Sequence, residues 1–452
     1  MTGPEASETL DRTALRALLS PSAHPVELVG VEVECALLHS SSGLPSRYGG
    51  AGGVRAVLEA VLREWGGDPV HDAGCLTGVN LPDGGSVTLE HGGQIEYSSP
   101  PASGVGEVMA GVRAALVRLA GVAARFRLAL VPGANLPFGP LDAADWVPMS
   151  RGALMRRYFA GLGEAGSRAP YVMAQSLSTQ VTLDYLDAAD FTRKLRMQTA
   201  TAPVVSALLV NSPLHDGRPC GLLSHRSWSW LRMDPRRTGL LPPALDGDVG
   251  VDDVIDWALG VPLIHYRRDG RYHAAPGTPF ADLLRTGLHD GAPPTAADWT
   301  GHLDQLWTDT RVRSTLELRA ADGPPGRHLA ALPALWTGLT YHRPSCEEAW
   351  ALTARHTADE HRAVRAALPA QGLDARLGDT PLRPLAAELL RLARVGLAAR
   401  VAAGLEPPHV PSYLDPLDEI VATGRTFAAQ TLTSWHGDLR TDPARYVDAH
   451  RI

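Results

Sequence analysis

Two short stretches place carboxylates where a β-strand ordinarily spends apolar side chains: Gly30-Val31-Glu32-Val33-Glu34 and Gly92-Gly93-Gln94-Ile95-Glu96-Tyr97-Ser98. Side chains alternate across a strand, so Glu32 and Glu34 share a face, as do Gln94 and Glu96, with Val31, Val33 and Ile95 on the reverse. A row of like charges repels itself and costs stability unless something positive neutralises it. Either the face is solvated, or it holds a hard divalent cation such as Mg2+, whose ligands are all oxygens. The spacing alone leaves both open. Glu317 and Arg319 are also two apart and share a strand face; as bare residues a glutamate beside an arginine reads first as a structural ion pair. Arg226 and Arg237 stand among small residues in a Gly-, Pro- and Ser-rich region, where an arginine either faces solvent or meets an anion. Gln180 opposes Val181 on its strand and suits substrate hydrogen bonding or sheet structure.

Other chemistries are absent from the pattern. The histidines His71, His91, His225, His302 and His342 make no H-x-x-x-H or H-E-x-x-H pair, which argues against a zinc hydrolase. No G-x-S-x-G elbow, no P-loop and no strand-linked G-x-G-x-x-G occurs. The four cysteines, Cys35, Cys75, Cys220 and Cys346, are far apart, so neither a disulfide framework nor a zinc site is expected.

The elements that must position these groups follow from periodicity. Residues 26–38 read as the first strand, and 87–97 as two strands around a turn at His91-Gly92-Gly93. Helical spacing covers 52–65 and 107–126, with Ser103 as the expected cap of the latter. A strand is expected at 127–132, a helix at 152–162, a strand at 175–185, and a long helix at 189–209 bent near Pro203. Residues 211–241 read as a long ordered functional loop. A short helix follows at 252–258, a hairpin at 263–272 around Asp269-Gly270, and a strand at 314–319. From 326 onward the chain is mainly helical, most strongly over 384–403. The pattern is α+β, with scattered antiparallel strands and helices grouped beside them.

Composition sets the bounds. The chain has 452 residues, 44% hydrophobic and 20% charged, with a net charge of −7 and no basic run, so nucleic-acid binding is not expected. No run of apolar residues is long enough for a membrane span, and the polar start is not a signal peptide. Expected are a flexible leader over 1–24 with a short helix at 9–19, one catalytic domain over 25–440 and a tail over 441–452. A cytoplasmic monomer or homodimer is expected.

The motifs, taken in order, resemble the glutamate–cysteine ligase family of carboxylate–amine ligases, in its plant and proteobacterial type. G-V-E-V-E and G-G-Q-I-E-Y-S come first. Ser178-Thr179-Gln180-Val181-Thr182-Leu183-Asp184 is similar to T-x-Q-V-N-L-D. Asn211-Ser212-Pro213, Ser224-His225-Arg226-Ser227 and Asp234-Pro235-Arg236-Arg237-Thr238-Gly239 resemble the central block. Leu316-Glu317-Leu318-Arg319-Ala320-Ala321-Asp322-Gly323 resembles L-E-M-R-G-A-D-G. Similarity continues through residues 332–339 and 415–425. The actinobacterial enzyme of ergothioneine synthesis is nearer only around Asp234-Pro235.

The resemblance implies a curved antiparallel sheet forming a funnel related to glutamine synthetase, flanked by helices with a helical C-terminal portion. It implies ATP as co-substrate, Mg2+ as cofactor, and γ-glutamylcysteine made through γ-glutamyl phosphate as the first step of low-molecular-weight thiol synthesis, toward glutathione or ergothioneine. Glu32, Glu34, Glu96 and Glu317 fall at metal positions, Arg319 and Arg226 at catalytic ones, and Gln94, Gln180, Arg151, Arg226 and Arg237 at substrate or ATP positions. A different amine acceptor, or a non-catalytic relative that binds glutamate or nucleotide, are the alternatives. One segment departs from the family pattern M-P-K-x-R-Y-x-x-M: Val147-Pro148-Met149-Ser150-Arg151-Gly152-Ala153-Leu154-Met155 keeps the arginine and last methionine but puts Met149 and Gly152 where the pattern has lysine and tyrosine. With those polar groups lost, weaker selectivity for cysteine over similar small amines is expected.

Overall fold

The computed structural model describes residues 10–21, 26–143, 145–245, 247–289 and 291–452. Nine strands build its main sheet: β1 Val29–His39, β2 Asp68–Asp72, β3 Cys75–Asn80, β4 Ser86–Leu89, β5 Ile95–Ser98, β6 Leu128–Pro132, β7 Thr179–Leu183, β8 Thr310–Val312 and β9 Leu316–Leu318. Every pairing is antiparallel. The order is β8-β9-β7-β1-β5-β4-β3-β2, with β6 also on β1. Eleven residues long, β1 serves three partners: Val29–Val33 meets β7, Glu32–Cys35 meets β5, and Cys35–His39 meets β6. The expected α+β class with a large antiparallel sheet is what the chain forms.

Register decides what the two faces carry. Glu34 lies opposite Glu96, Glu32 opposite Gln180, and Glu96 opposite Thr88, so the polar residues of β1, β4, β5 and β7 gather on one face. On the reverse face Val29, Val31, Val33, Val87, Ile95, Tyr97, Val181 and Leu318 are buried in the largest core cluster. Helices Val54–Trp65, Val105–Ala124 and Ala331–Thr340 cover that back, packing on β3, on β1 and β6, and on β7 respectively; helix Leu382–Ala402 backs the last of these. Shifting β1 by one residue would bury two glutamates under those helices, so the alternation itself fixes the register.

Three expectations need correcting. Residues 10–21 are no free leader: helix Arg12–Ala17 docks by Leu15, and the turn after it by Leu19, into a second core cluster, and Arg12 and Arg16 pair with Asp252, Arg12 also with Asp256. The rest of the 1–24 expectation lies outside the described residues. Ser103 does not cap the 105–124 helix. Its N-cap is Gly104, and the carboxylate of Glu406, about 300 residues away, accepts from the amides of Val105 and Gly106 at 2.8 and 2.9 Å. Arg400 in turn donates to the Ser103 carbonyl. No local pattern encodes a cap supplied from so far along the chain. The 175–185 stretch divides into the end of helix Ala169–Gln175 and the shorter strand β7.

Candidate active site

A cavity of about 760 Å3 lies over the polar face of the sheet. Its acidic end is built by the β4–β5 hairpin against β1. Glu34, Glu90 and Glu96 offer carboxylate oxygens all within 4.8 Å of one another, and Glu32 follows along β1. The hairpin turn sets this up. Gly93 has φ +83°, and a Cβ on Gly92 would sit 2.1 Å from the Ala174 carbonyl oxygen, so both positions demand glycine.

Hydrogen bonds orient the carboxylates. Thr88 Oγ1 and Ser98 Oγ donate to Glu96 Oε1 at 3.0 and 3.3 Å; Ser178 Oγ and Gln180 Nε2 donate to Glu34 Oε1 at 2.9 and 3.1 Å. These do not offset burial and mutual repulsion. Burial first, then Glu96 and Glu317, pushes the Glu32 carboxyl up to about 8. Burial and Glu90 raise Glu34 to about 7. Burial, Glu90 and Glu34 raise Glu96 to about 8. An all-oxygen cluster with acids poised this high fits a hard divalent cation: binding strips the protons and removes the repulsion. Glu90 was not singled out from the sequence. It stands two residues beyond Thr88, hence on the Thr88–Glu96 face, and that spacing is the signal that could have found it.

The basic wall faces this acidic end. Arg319 donates to Glu317 Oε1 at 2.6 Å and to Gln180 Oε1 at 3.2 Å, and it lines the cavity. Gln180 thus links Arg319 to Glu34 through its two amide ends. Arg226 also lines the cavity, yet its guanidinium donates to the carbonyls of Arg319 and Ala320, both at 2.9 Å, so it braces the chain that carries Arg319. A catalytic contact for Arg226 therefore gives way to a positioning one.

Two further expected residues are not placed at the cavity. Burial alone would raise the Glu317 carboxyl, but Arg311, Arg319 and Arg313 hold it well below the usual carboxylate range, and its oxygens are occupied by those guanidiniums. It is an ion-pair hub, not a free metal ligand. Arg237 is fully buried, donating to Asp234, to Tyr158 Oη and to the carbonyls of Gln305 and Pro262. It locks the 234–239 turn to its surroundings, so a substrate role fails for lack of a free donor. Gln94 borders the cavity, but its amide accepts from Gly92 N and donates to the Ser176 carbonyl, at 2.9 Å each, which spends it on the hairpin.

At the other end stand Arg151, His91 and His265. Arg151 has no hydrogen-bond or ion-pair partner among the described residues. Burial, with Arg151, Arg156 and His265 nearby, holds the His91 imidazole well below its ordinary value, hence neutral. Met149 does not reach the cavity; it is buried in the main core. Gly152 does face it indirectly: a Cβ there would lie 3.0 Å from His91 Nδ1. A ring from this chain's own hairpin therefore stands against the glycine.

A family model described as glutamate–cysteine ligase family 2 matches residues 28–444. The chain is 31% identical over 437 residues to the chloroplastic glutamate–cysteine ligase of Brassica juncea, covering 96% of this chain and 82% of that protein. It is 34% identical over 355 residues to that of Arabidopsis thaliana, covering 78% and 66%. The matched stretch likewise spans 66% of the Nicotiana tabacum enzyme, about two thirds of its length. These names place the relatives in chloroplasts and lend the expected cytoplasmic location no support. Among solved structures, glutamate–cysteine ligase from Francisella tularensis in complex with AMP superposes with a TM-score of 0.57 at 12% identity, covering 94% of this chain and 88% of that one. At that identity the likeness speaks to fold, which is the glutamine-synthetase-like one.

Proposed function

The chain belongs to the glutamate–cysteine ligase family 2 and is an enzyme of that family; on that premise we propose that it makes γ-glutamylcysteine from glutamate, cysteine and ATP. A carboxylate and an amine do not condense unaided, so the carboxylate is first converted to an acyl donor. In the proposed route an oxygen of the glutamate γ-carboxylate attacks the γ-phosphorus of ATP, ADP leaves, and γ-glutamyl phosphate forms. The amine of cysteine then attacks the acyl carbon, giving up a proton as inorganic phosphate departs.

The observation that carries this reading is the juxtaposition, in one cavity, of the Glu34–Glu90–Glu96 cluster with Arg319. Both partners in the phosphoryl transfer, glutamate and ATP, are anionic, so transfer requires neutralisation from both sides. Glu34, Glu90 and Glu96, with Glu32 beside them, would hold Mg2+, which supplies that neutralisation to phosphate oxygens when bound. Arg319 presents a planar fork, kept in place by Glu317, by Gln180 and by the Arg226 brace behind it. Arg151, an unpaired cation away from the acidic end, is suited to a substrate carboxylate. A small thiol dipeptide as product suits the opening step of a low-molecular-weight thiol route, whether toward glutathione or ergothioneine.

The test is a glutamate- and ATP-dependent reaction in which hydroxylamine replaces the amine. Formation of γ-glutamyl hydroxamate with stoichiometric ADP supports the acyl phosphate; AMP with pyrophosphate rejects it. A second reading, a different amine acceptor, is favoured by one observation, the altered wall at Gly152. A panel of amines offered to the same enzyme separates the two.

A further inference from the structure

The reverse side of the sheet carries a second cavity, of about 630 Å3, between helices Val54–Trp65 and Val105–Ala124 and the ends of β3 and β5. Cavities of this size take small molecules. Tyr97 of β5 lines it; the residue is 3% exposed, and its hydroxyl has no hydrogen-bond partner among the described residues. Unlike the hydroxyl of Tyr171, which is sealed in, that of Tyr97 stays accessible, and the cavity is what it opens on. An unpaired hydroxyl on so buried a residue costs free energy, which points to a partner that arrives in the cavity.

Charges of both signs border that hydroxyl. Burial first, then Asp83, raises the Tyr97 phenol above its ordinary value, and Arg118 opposes them, so both charges reach it. Neither has an ion-pair partner among the described residues. Asp83 Oδ1 accepts from the Gly85 amide at 2.9 Å, which holds the carboxylate in its turn. Arg118 stands over the Trp65 ring, 4.2 Å from its centroid. That contact steadies the guanidinium and leaves N–H groups to grip a carboxylate. Opposite charges beside one hydroxyl, not joined to each other, suit a molecule that carries both signs a short distance apart. An α-amino acid head group is such a molecule. Glu107, in the first turn of helix Val105–Ala124, adds a second anion at the rim.

The remaining wall is apolar: Trp65, Pro82, Pro100 and Pro101 offer broad faces that favour a ring. The helix contributes only Gly111 and Ala114 beside the cavity's centre, which keeps it open. A Cβ on Gly111 would meet nothing within 4 Å, so no contact among the described residues asks for glycine there. Within a helix glycine costs about 1 kcal/mol relative to alanine.

We propose that this back-face cavity binds a free aromatic α-amino acid. Arg118 takes its carboxylate, Asp83 its ammonium, the Tyr97 hydroxyl bonds the head group, and the ring lies among Trp65 and the prolines. The assignment is independent of the ligase reading, since none of these residues lines the cavity that holds the Glu34–Glu90–Glu96 cluster. Strand β5 thus serves two sites, with Glu96 in front and Tyr97, the next residue, behind.

The test is equilibrium dialysis of radiolabelled L-phenylalanine against the full chain, in wild type, Arg118→Ala, Tyr97→Phe and Gly111→Leu. It is repeated with saturating glutamate, cysteine and ADP, which fill the front cavity without turnover. Saturable binding is expected, and it should persist when the front cavity is filled. A charge-assisted hydrogen bond is worth about tenfold or more in affinity, so Arg118→Ala should weaken binding by at least that factor. Tyr97→Phe, which removes only the hydroxyl, should weaken it about fivefold. Gly111→Leu should abolish it by filling the cavity from a position where a side chain meets no obstacle, with no fall in Tm. Phenylpropionate, which lacks the ammonium, and phenethylamine, which lacks the carboxylate, should each compete at least tenfold less well than phenylalanine. No saturable binding in the millimolar range overturns the site. So does binding that glutamate, cysteine and ADP displace, or that Arg118→Ala and Gly111→Leu both leave unchanged. Equal competition by phenylpropionate and phenethylamine also overturns it, since the cavity would then hold a ring without reading its head group.

Discussion

Replacing Glu96 by glutamine should stabilise the metal-free protein at alkaline pH while crippling the enzyme. Burial and the neighbouring carboxylates move the Glu96 carboxyl from 4.5 to about 8 on folding. The folded pKa is above the unfolded one, so the native state binds the extra proton. The stability this represents is fully present below pH 4.5 and is lost as pH rises through 8. From pH 6 to pH 8 the loss is about two pH units at 1.36 kcal/mol each, or roughly 3 kcal/mol at most. Part of the repulsion is shared with Glu34 and Glu90, so removing one charge should relieve about 1–3 kcal/mol. Unfolding entropy near 2.1 cal/mol/K per residue gives about 1 kcal/mol/K for 452 residues, so the shift is about 1–3 °C in Tm. The assay is thermal unfolding in EDTA at pH 6 and pH 8.5, with and without added Mg2+. The variant's Tm should exceed that of wild type by a margin that widens between the two pH values. Mg2+ should raise the wild-type Tm more at pH 8.5 than at pH 6, and raise the variant's less. Ligation should fall on the order of 10²-fold or more, because a hard cation loses an anionic oxygen. A Tm gap that is flat with pH, or wild type that gains stability as pH rises, would refute the reasoning, since the carboxylates would then be ionised without strain.

Other substitutions separate catalysis from architecture. Arg319→Lys should lose on the order of 10²-fold in kcat without recovering activity over Arg319→Ala, because a point charge does not replace a planar fork; near-native turnover in the lysine variant would reduce Arg319 to a partner of Glu317. Asp234→Asn should cost about 2 kcal/mol, read as a fall in Tm near neutral pH, by weakening the hold on Arg237 and Tyr158. Against the effect of burial, Arg236 and Arg237 lower the Asp234 carboxyl from 3.8 to about 2, so its contribution is present above pH 3.8 and fades as pH falls through 2. Glutamate and ATP KM values should move less than about twofold, and a large change in either would return Arg237 to the substrate site. Glu406→Ala should destabilise by about 2–4 kcal/mol, since it uncaps helix 105–124 and leaves Arg400 buried without its carboxylate; unchanged Tm would show that water replaces the cap.

Strand alternation made the carboxylate face legible: Glu32, Glu34 and Glu96 point as spacing requires because one face of a half-buried sheet is apolar. The hairpins at 91–93 and 269–270 were likewise legible, since positive φ selects glycine. Whether a group is free to act was not legible, because that depends on partners distant in sequence. Arg237 looked like a loop arginine and is consumed by Asp234, Tyr158 and two carbonyls. Glu317 looked like a ligand and is enclosed by Arg311 of β8, Arg313 of the turn after it and Arg319 just past β9. Glu90 went unnoticed because it lies one residue past the end of β4, next to the turn, where a charged residue reads as solvated.

The covering of the sheet's back has a consequence for how the chain is made. Strand β7 ends at Leu183, and the helix that lies on it begins at Ala331, 148 residues later by subtraction. At about 10 residues per second, roughly 15 s of synthesis separate them. Until then the newborn sheet has its 54–65 and 105–124 helices but lacks the 331–340 helix, so the part of its back that carries Val181 and Leu183 is uncovered. The protein is therefore a poor candidate for expression as an N-terminal fragment. A ribosome-profiling or pulse-proteolysis experiment should find protease resistance arriving late, once the 382–402 helix has emerged, and arriving all at once.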